Sequence, residues 1–172
     1  MTFMADFASI CFSKTFISYR LADPVSATTA LFNRLSVDDQ LAVLWYAYAD
    51  WGRSIAPATP GSARLHLAEG LLERIKQMSH TEQLQAMRDL VIKEDTQIGR
   101  SYGVLSPNTK LAFWYQLAKW MTQGFMVPVP AGYQLSCDGE RVLKAVKELD
   151  FGQQITFLRD ATMDMGIDPL AD

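Results

Sequence analysis

The sequence predicts an all-α fold, and three observations carry that prediction. From Pro24 onward, apolar residues recur at helical spacing in one segment after another. Between these segments stand helix-start and helix-stop residues, with Ser ahead of Pro or an acidic residue at one end and Gly or Pro at the other. No stretch alternates apolar and polar residues with β-branched enrichment, so no sheet is expected.

Length and composition bound the rest. A chain of 172 residues is long enough for one domain, or two small subdomains, with a real core. A hydrophobic content of 49% with 20% charged residues describes a globular protein. The net charge of −3 and the absence of a Lys/Arg cluster argue against a nucleic-acid partner. Cys11 and Cys137 are too few for a disulfide framework or a metal quartet, and free thiols are expected. No apolar run approaches the roughly 18 residues of a transmembrane segment. The first residues carry an early acid and no basic run, so no signal peptide is expected.

Residues 1–23 lack a cap pattern and read as an N-terminal arm; residues 24–172 read as a single helical domain with no C-terminal domain after it. A first helix over 25–35 places Ala30, Leu31 and Leu35 on one side. Ser36-Val-Asp-Asp39 resembles a capping box with Asp in place of Glu. The helix it starts ends at Gly52, with Leu41, Leu44, Trp45, Tyr48 and Trp51 within about 120° of each other on the wheel. Pro57, Pro60 and Gly61 mark a loop over 53–61. A helix over 62–78 buries Ala68, Leu71, Leu72, Ile75 and Met78. The capping box Ser79–Glu82 starts the next, with Leu84, Met87 and Val91 inside. A short helix spans 95–104. The next runs from Ser106, with Pro107 in its first position, to Gly124. After a second loop containing Pro128 and Pro130, helices over 138–149 and 151–165 bury Val142, Val146 and Leu149, then Ile155, Leu158, Thr162 and Met165.

L-S-V-D-D-Q-L-A (35–42) and L-S-P-N-T-K-L-A (105–112) share their spacing, and each leads into Trp-Tyr, which makes a pseudo-symmetric pair of bundles plausible. Enzyme motifs are scarce. His66 has no metal-ligand spacing to a second ligand, His80 sits in a capping box, and there is no G-x-S-x-G or phosphate-binding glycine loop. The aromatics are the informative residues. All 4 Trp lie in 41–52 and 111–125, on two helices, while ordinary cores prefer Leu, Ile and Val. Two readings remain open on pattern alone: a core that uses aromatics, or a wall for a flat or rod-shaped apolar ligand.

The stretches D-Q-L-A-V-L-W-Y-A-Y (39–48), Q-A-M-R-D-L (85–90), S-P-N-T-K-L-A-F-W-Y (106–115), P-V-P-A-G-Y-Q-L-S (128–136) and G-Q-Q-I-T-F-L-R-D-A-T-M-D-M-G (152–166) resemble, in order and spacing, the N-terminal helical domain of the cyanobacterial orange carotenoid proteins and their stand-alone relatives, the helical carotenoid proteins. The resemblance covers about Pro24 to Gly166. It implies two interleaved (discontinuous) four-helix bundles with a carotenoid channel between them. The implied cofactor is a ketocarotenoid such as canthaxanthin or echinenone, and the implied role is photoprotection, with no catalysis. The positions that coincide with the family's polyene-lining residues are Leu41, Leu44, Trp45, Tyr48, Pro60, Met87, Leu111, Trp114, Val129 and Tyr133, with Tyr115 and Met121 as adjacent candidates. Arg159 matches an arginine that the resemblance implicates in docking on the phycobilisome. A separate C-terminal-domain homologue is a further implied partner, and the implied location is the cytoplasm, at phycobilisomes on the thylakoid surface.

The sequence departs from the family pattern in places. Leu105 replaces a Trp, Trp51 a smaller apolar residue, Arg88 a frequent Cys, and Lys119 a residue that is usually acidic in the light-switching proteins.

Overall fold

A computed structural model describes residues 23–55 and 65–170, apart from the side chains of 51–55. Among the described residues there are eight helices and no strand: α1 (Pro24–Phe32), α2 (Val37–Ile55), α3 (Glu69–Lys76), α4 (His80–Ile92), α5 (Gln97–Gly103), α6 (Pro107–Gln123), α7 (Cys137–Glu148) and α8 (Phe151–Met163).

Most boundaries follow from local chemistry. Ser79 accepts from the Glu82 N–H while the Glu82 carboxylate accepts from the Ser79 N–H, the full capping box expected for α4. The same reciprocal pair forms between Asp150 and Gln153 at α8, a D-x-x-Q signal that is legible in the sequence. Ser106 caps α6, Pro107 occupies its first turn, and Gly124 closes it at φ 80°, a left-handed conformation that glycine adopts without strain. α2 differs in two ways. It runs past Gly52 to Ile55 rather than stopping there. Its capping box is also only half made: Ser36 Oγ accepts from the Asp39 N–H, but the Asp39 carboxylate turns to a distant loop instead. α3 is shorter than the periodicity suggests, preceded by one tight turn of 3₁₀ helix over 65–68.

The packing joins the two ends of the chain. α1 lies on α7 and α8, while α3, α4 and α5 pack on one another; α2 touches α4, α6 and α7, and α6 packs on α2 and α8. Helices close in space are thus interleaved in sequence, as the resemblance implies. The core is aromatic at its contact points. Phe32 meets Phe157 edge-on with ring centroids 5.6 Å apart, and Tyr102 meets Phe113 at 5.1 Å. Phe32, with no exposed surface, takes the core position on α1, whereas Ala30 is exposed and Leu31 only half-buried. Of the expected face, Leu35 is buried and Leu31 packs against the core, while Ala30 is exposed and Phe32, against the Phe157 ring, is the residue the expectation omits.

One further expectation changes, and one residue enters that the sequence does not single out. Cys137 is disulfide-bonded rather than free; a cysteine count excludes large frameworks but says nothing about whether two thiols meet. Lys110, which the sequence leaves unremarked, is buried, with Nζ donating to the Met163 and Met165 carbonyls at 2.7 and 3.3 Å. It caps the carboxyl end of α8, where a cation is favoured by the helix dipole.

Candidate apolar ligand cavity

A cavity of about 160 Å³ lies between α2, α4, α6 and the loop 125–136. α2 contributes Asp38, Leu41, Ala42, Leu44, Trp45 and Tyr48. These positions span eleven residues, ten steps of about 1.5 Å or about 15 Å of helix. α4 contributes Leu84, Met87 and Arg88, and α6 contributes Trp114, Ala118 and Met121. The loop forms the roof with Val127, Pro128, Val129, Pro130 and Tyr133.

Helical spacing explains the walls. Leu41, Leu44, Trp45 and Tyr48 recur at three and four residues, as do Trp114, Ala118 and Met121. α4 has two working sides. Gln83, Ala86 and Leu90 face the core, while Leu84, Met87 and Arg88 line the cavity, so the apolar face read from sequence is divided between the two.

The polar atoms of the wall are mostly committed elsewhere. Tyr48 Oη donates to the Leu111 carbonyl at 3.1 Å, tying α2 to α6. Trp114 Nε1 donates to Tyr102 Oη at 3.0 Å, and Tyr102 Oη donates to the Thr162 carbonyl at 2.7 Å. Burial holds the Tyr48 and Tyr102 hydroxyls well above the ordinary tyrosine range. Tyr133 Oη donates to Asp39 Oδ1 at 2.8 Å, and burial followed by this carboxylate raises its hydroxyl to about 12.

Two buried polar side chains fix the roof. Gln83 Nε2 donates to the Phe125 carbonyl at 3.0 Å while its Oε1 accepts from the Val127 N–H at 2.9 Å. At the other end the Asp39 carboxylate, only 4% exposed, accepts from Tyr133 Oη and from Ser136 Oγ. Neither residue is flagged by the sequence: Gln83 reads as an ordinary helix residue and Asp39 as a cap. Between the same helices, Arg88 Nε and Nη2 donate to Asp38 Oδ1 and Oδ2 at 2.8 and 2.9 Å, a bidentate pair from α4 to α2.

A family model described as "Orange carotenoid protein, N-terminal" matches residues 18–168. The chain belongs to the orange carotenoid protein N-terminal family. An orange carotenoid-binding domain-containing protein of Nostoc sp. (strain PCC 7120) is 62% identical over the full length of both chains. The orange carotenoid-binding protein of Limnospira maxima is 45% identical over 168 residues, which is 98% of this chain but 52% of that one. Among solved structures, the orange carotenoid protein of Anabaena (Nostoc) sp. PCC 7120 binding canthaxanthin matches with a TM-score of 0.79 and 52% identity, over 86% of this chain and 48% of its own. The red carotenoid protein of the same organism, also binding canthaxanthin, matches at 0.73 and 38% identity over 84% of this chain and 99% of its own. The chain thus spans about half the length of the two orange carotenoid-binding proteins and nearly all of the red form.

Of the residues expected from the resemblance to this family, Leu41, Leu44, Trp45, Tyr48, Met87, Trp114, Met121, Val129 and Tyr133 converge on the cavity. Leu111 and Tyr115 do not line it: Leu111 is fully buried in the core and reaches the wall only through its carbonyl. Pro60 lies outside the described residues. The cavity adds Asp38, Ala42, Leu84, Arg88, Ala118, Val127, Pro128 and Pro130. Arg159 is remote from this cavity; its Nε donates to Asn108 Oδ1 at 3.0 Å, beside a shallow depression formed with Ser106 and Pro107.

Proposed function

We propose that this protein holds a carotenoid in the slot between α2, α4 and α6 and uses it to quench singlet oxygen or excitation energy. The observation that carries the reading is the elongated apolar wall of Leu41, Leu44, Trp45, Met87, Trp114 and Met121 in a chain of this family. Aromatic faces and methionine suit a polarizable conjugated rod, and covering it removes apolar area from water. The slot spans about half of a carotenoid, a rod roughly as long as a 17–20-residue helix, 25–30 Å. An enclosed volume near 150 Å³ accommodates a benzene-sized guest. The slot formed by the described residues therefore suits one end of the molecule. Absorbed energy leaves as heat, and no substrate bond is made or broken.

Co-expression with canthaxanthin synthesis tests binding: a coloured protein fraction is expected, and a colourless protein with the pigment left in the membranes overturns the reading. Adding the coloured protein to a singlet-oxygen generator should shorten the signal of singlet-oxygen phosphorescence more than the apoprotein does.

Arg159 motivates a second reading, docking on the phycobilisome, because Asn108 holds its guanidinium at the surface. Phycobilisome fluorescence that is unchanged by excess coloured protein would remove it. Pigment exchange with a C-terminal-domain homologue is compatible with a slot roofed by a loop, and is read as colour transfer between the two purified proteins.

A further inference from the structure

The two ends of the cavity differ. At the Tyr48 end the wall is buried and its polar hydrogens are spent on Leu111 and Tyr102. At the other end stand Asp38 and Arg88, with side chains 44% and 38% exposed, beside Tyr133. A guanidinium carries five N–H donors in a rigid fork. Two of those of Arg88 go to Asp38, and the others meet no partner among the described residues. Asp38 is itself fixed in the first turn of α2, so the fork is oriented before any ligand arrives.

We infer that Arg88 selects the end group of the bound polyene, donating a hydrogen bond to a carbonyl on its terminal ring. The inference rests on the carotenoid-binding reading. A hydrocarbon ring seated here covers charged N–H groups and returns no acceptor, which is costly. A ring carbonyl returns one, so the site discriminates against the wrong ligand as well as for the right one. A ring hydroxyl is served less well. As an acceptor it is weaker than a conjugated carbonyl, and the Asp38 oxygens that could accept from it are already engaged by Arg88.

The full chain as apoprotein is offered canthaxanthin, with a carbonyl on each ring, and β-carotene, the same skeleton without oxygen. About tenfold greater retention of canthaxanthin is expected, the scale of one charge-assisted hydrogen bond at a half-exposed site. Arg88→Met keeps the length and loses the donors; it should bring the ratio close to one and move canthaxanthin's absorption maximum to shorter wavelength. Arg88→Lys should recover part of both. Equal retention of the two pigments by the unaltered protein overturns this inference alone and leaves carotenoid binding standing. Uptake of neither pigment removes both. A ratio and a spectrum that are unchanged in Arg88→Met also overturn it, since an ion pair that merely clips α4 to α2 lowers stability without touching pigment choice.

Discussion

Trp114 serves two purposes at once: one face lines the cavity, and Nε1 donates into a buried relay through Tyr102 to the end of α8. Trp45 lines the cavity too, whereas Trp120 lies outside it under the Lys76 ammonium, 5.0 Å from the ring centroid. Each Trp→Ala change should cost at most about 3–5 kcal/mol of stability. Pigment retention, measured as the ratio of visible to ultraviolet absorbance after gel filtration, should fall for Trp45→Ala and Trp114→Ala and hold for Trp120→Ala. The buried hydroxyls give a pH signature. Tyr48, Tyr102 and Tyr133 have folded values above the unfolded value of 10.0. Their contribution is therefore complete below pH 10 and declines as pH rises, because the folded state keeps protons that the unfolded state has lost. Urea midpoints should drop as pH rises above 10, and Tyr102→Phe should flatten that slope. Asp38 behaves oppositely: Arg88 lowers its value below 3.8, so its contribution is present above that pH and fades in acid. At this scale the wall residues were legible because apolar spacing and resemblance agreed. Gln83, Asp39 and Lys110 were not, since their partners lie dozens of residues away.

At the scale of elements, caps and breakers carried most of the information. The starts of α4, α6 and α8 rest on side-chain contacts three residues apart, visible in any linear reading. The end of α2 at Ile55 was not, because a glycine inside a helix costs only about 1 kcal/mol and does not by itself stop one. The seam between α5 and the segment after α8 was hidden for a different reason. Gly166 N–H donates to the Leu90 carbonyl and Ile167 N–H to the Gly99 carbonyl. A methyl group on Gly103 would sit 1.5 Å from the Ile167 carbonyl oxygen. Gly103→Ala should therefore destabilise the protein by about 3 kcal/mol, since backbone must move to admit it. Gly70 in α3 has nothing within 4 Å of such a group. Gly70→Ala should stabilise by up to about 1 kcal/mol through helix propensity. Denaturant midpoints of the two variants, shifted in opposite directions, check both.

For the molecule as a whole, α2 and α6 connect the interleaved groups, so neither group has a core that is independent of the other. Far-ultraviolet and near-ultraviolet circular dichroism should report one coincident unfolding transition. Two separate midpoints would show that the halves fold apart. The roof bears on how a guest enters and leaves. Pro128 and Pro130 carry no N–H, and the Val127 N–H is already held by Gln83. A hydrocarbon sliding beneath Val127, Pro128 and Pro130 strips none of these three of a hydrated donor, and its departure leaves none of them to be rehydrated. Of residues 127–130 only Val129 keeps an N–H for water, so most of this backbone is hydrated alike with or without a guest, and an apolar rod can be both loaded and surrendered along it.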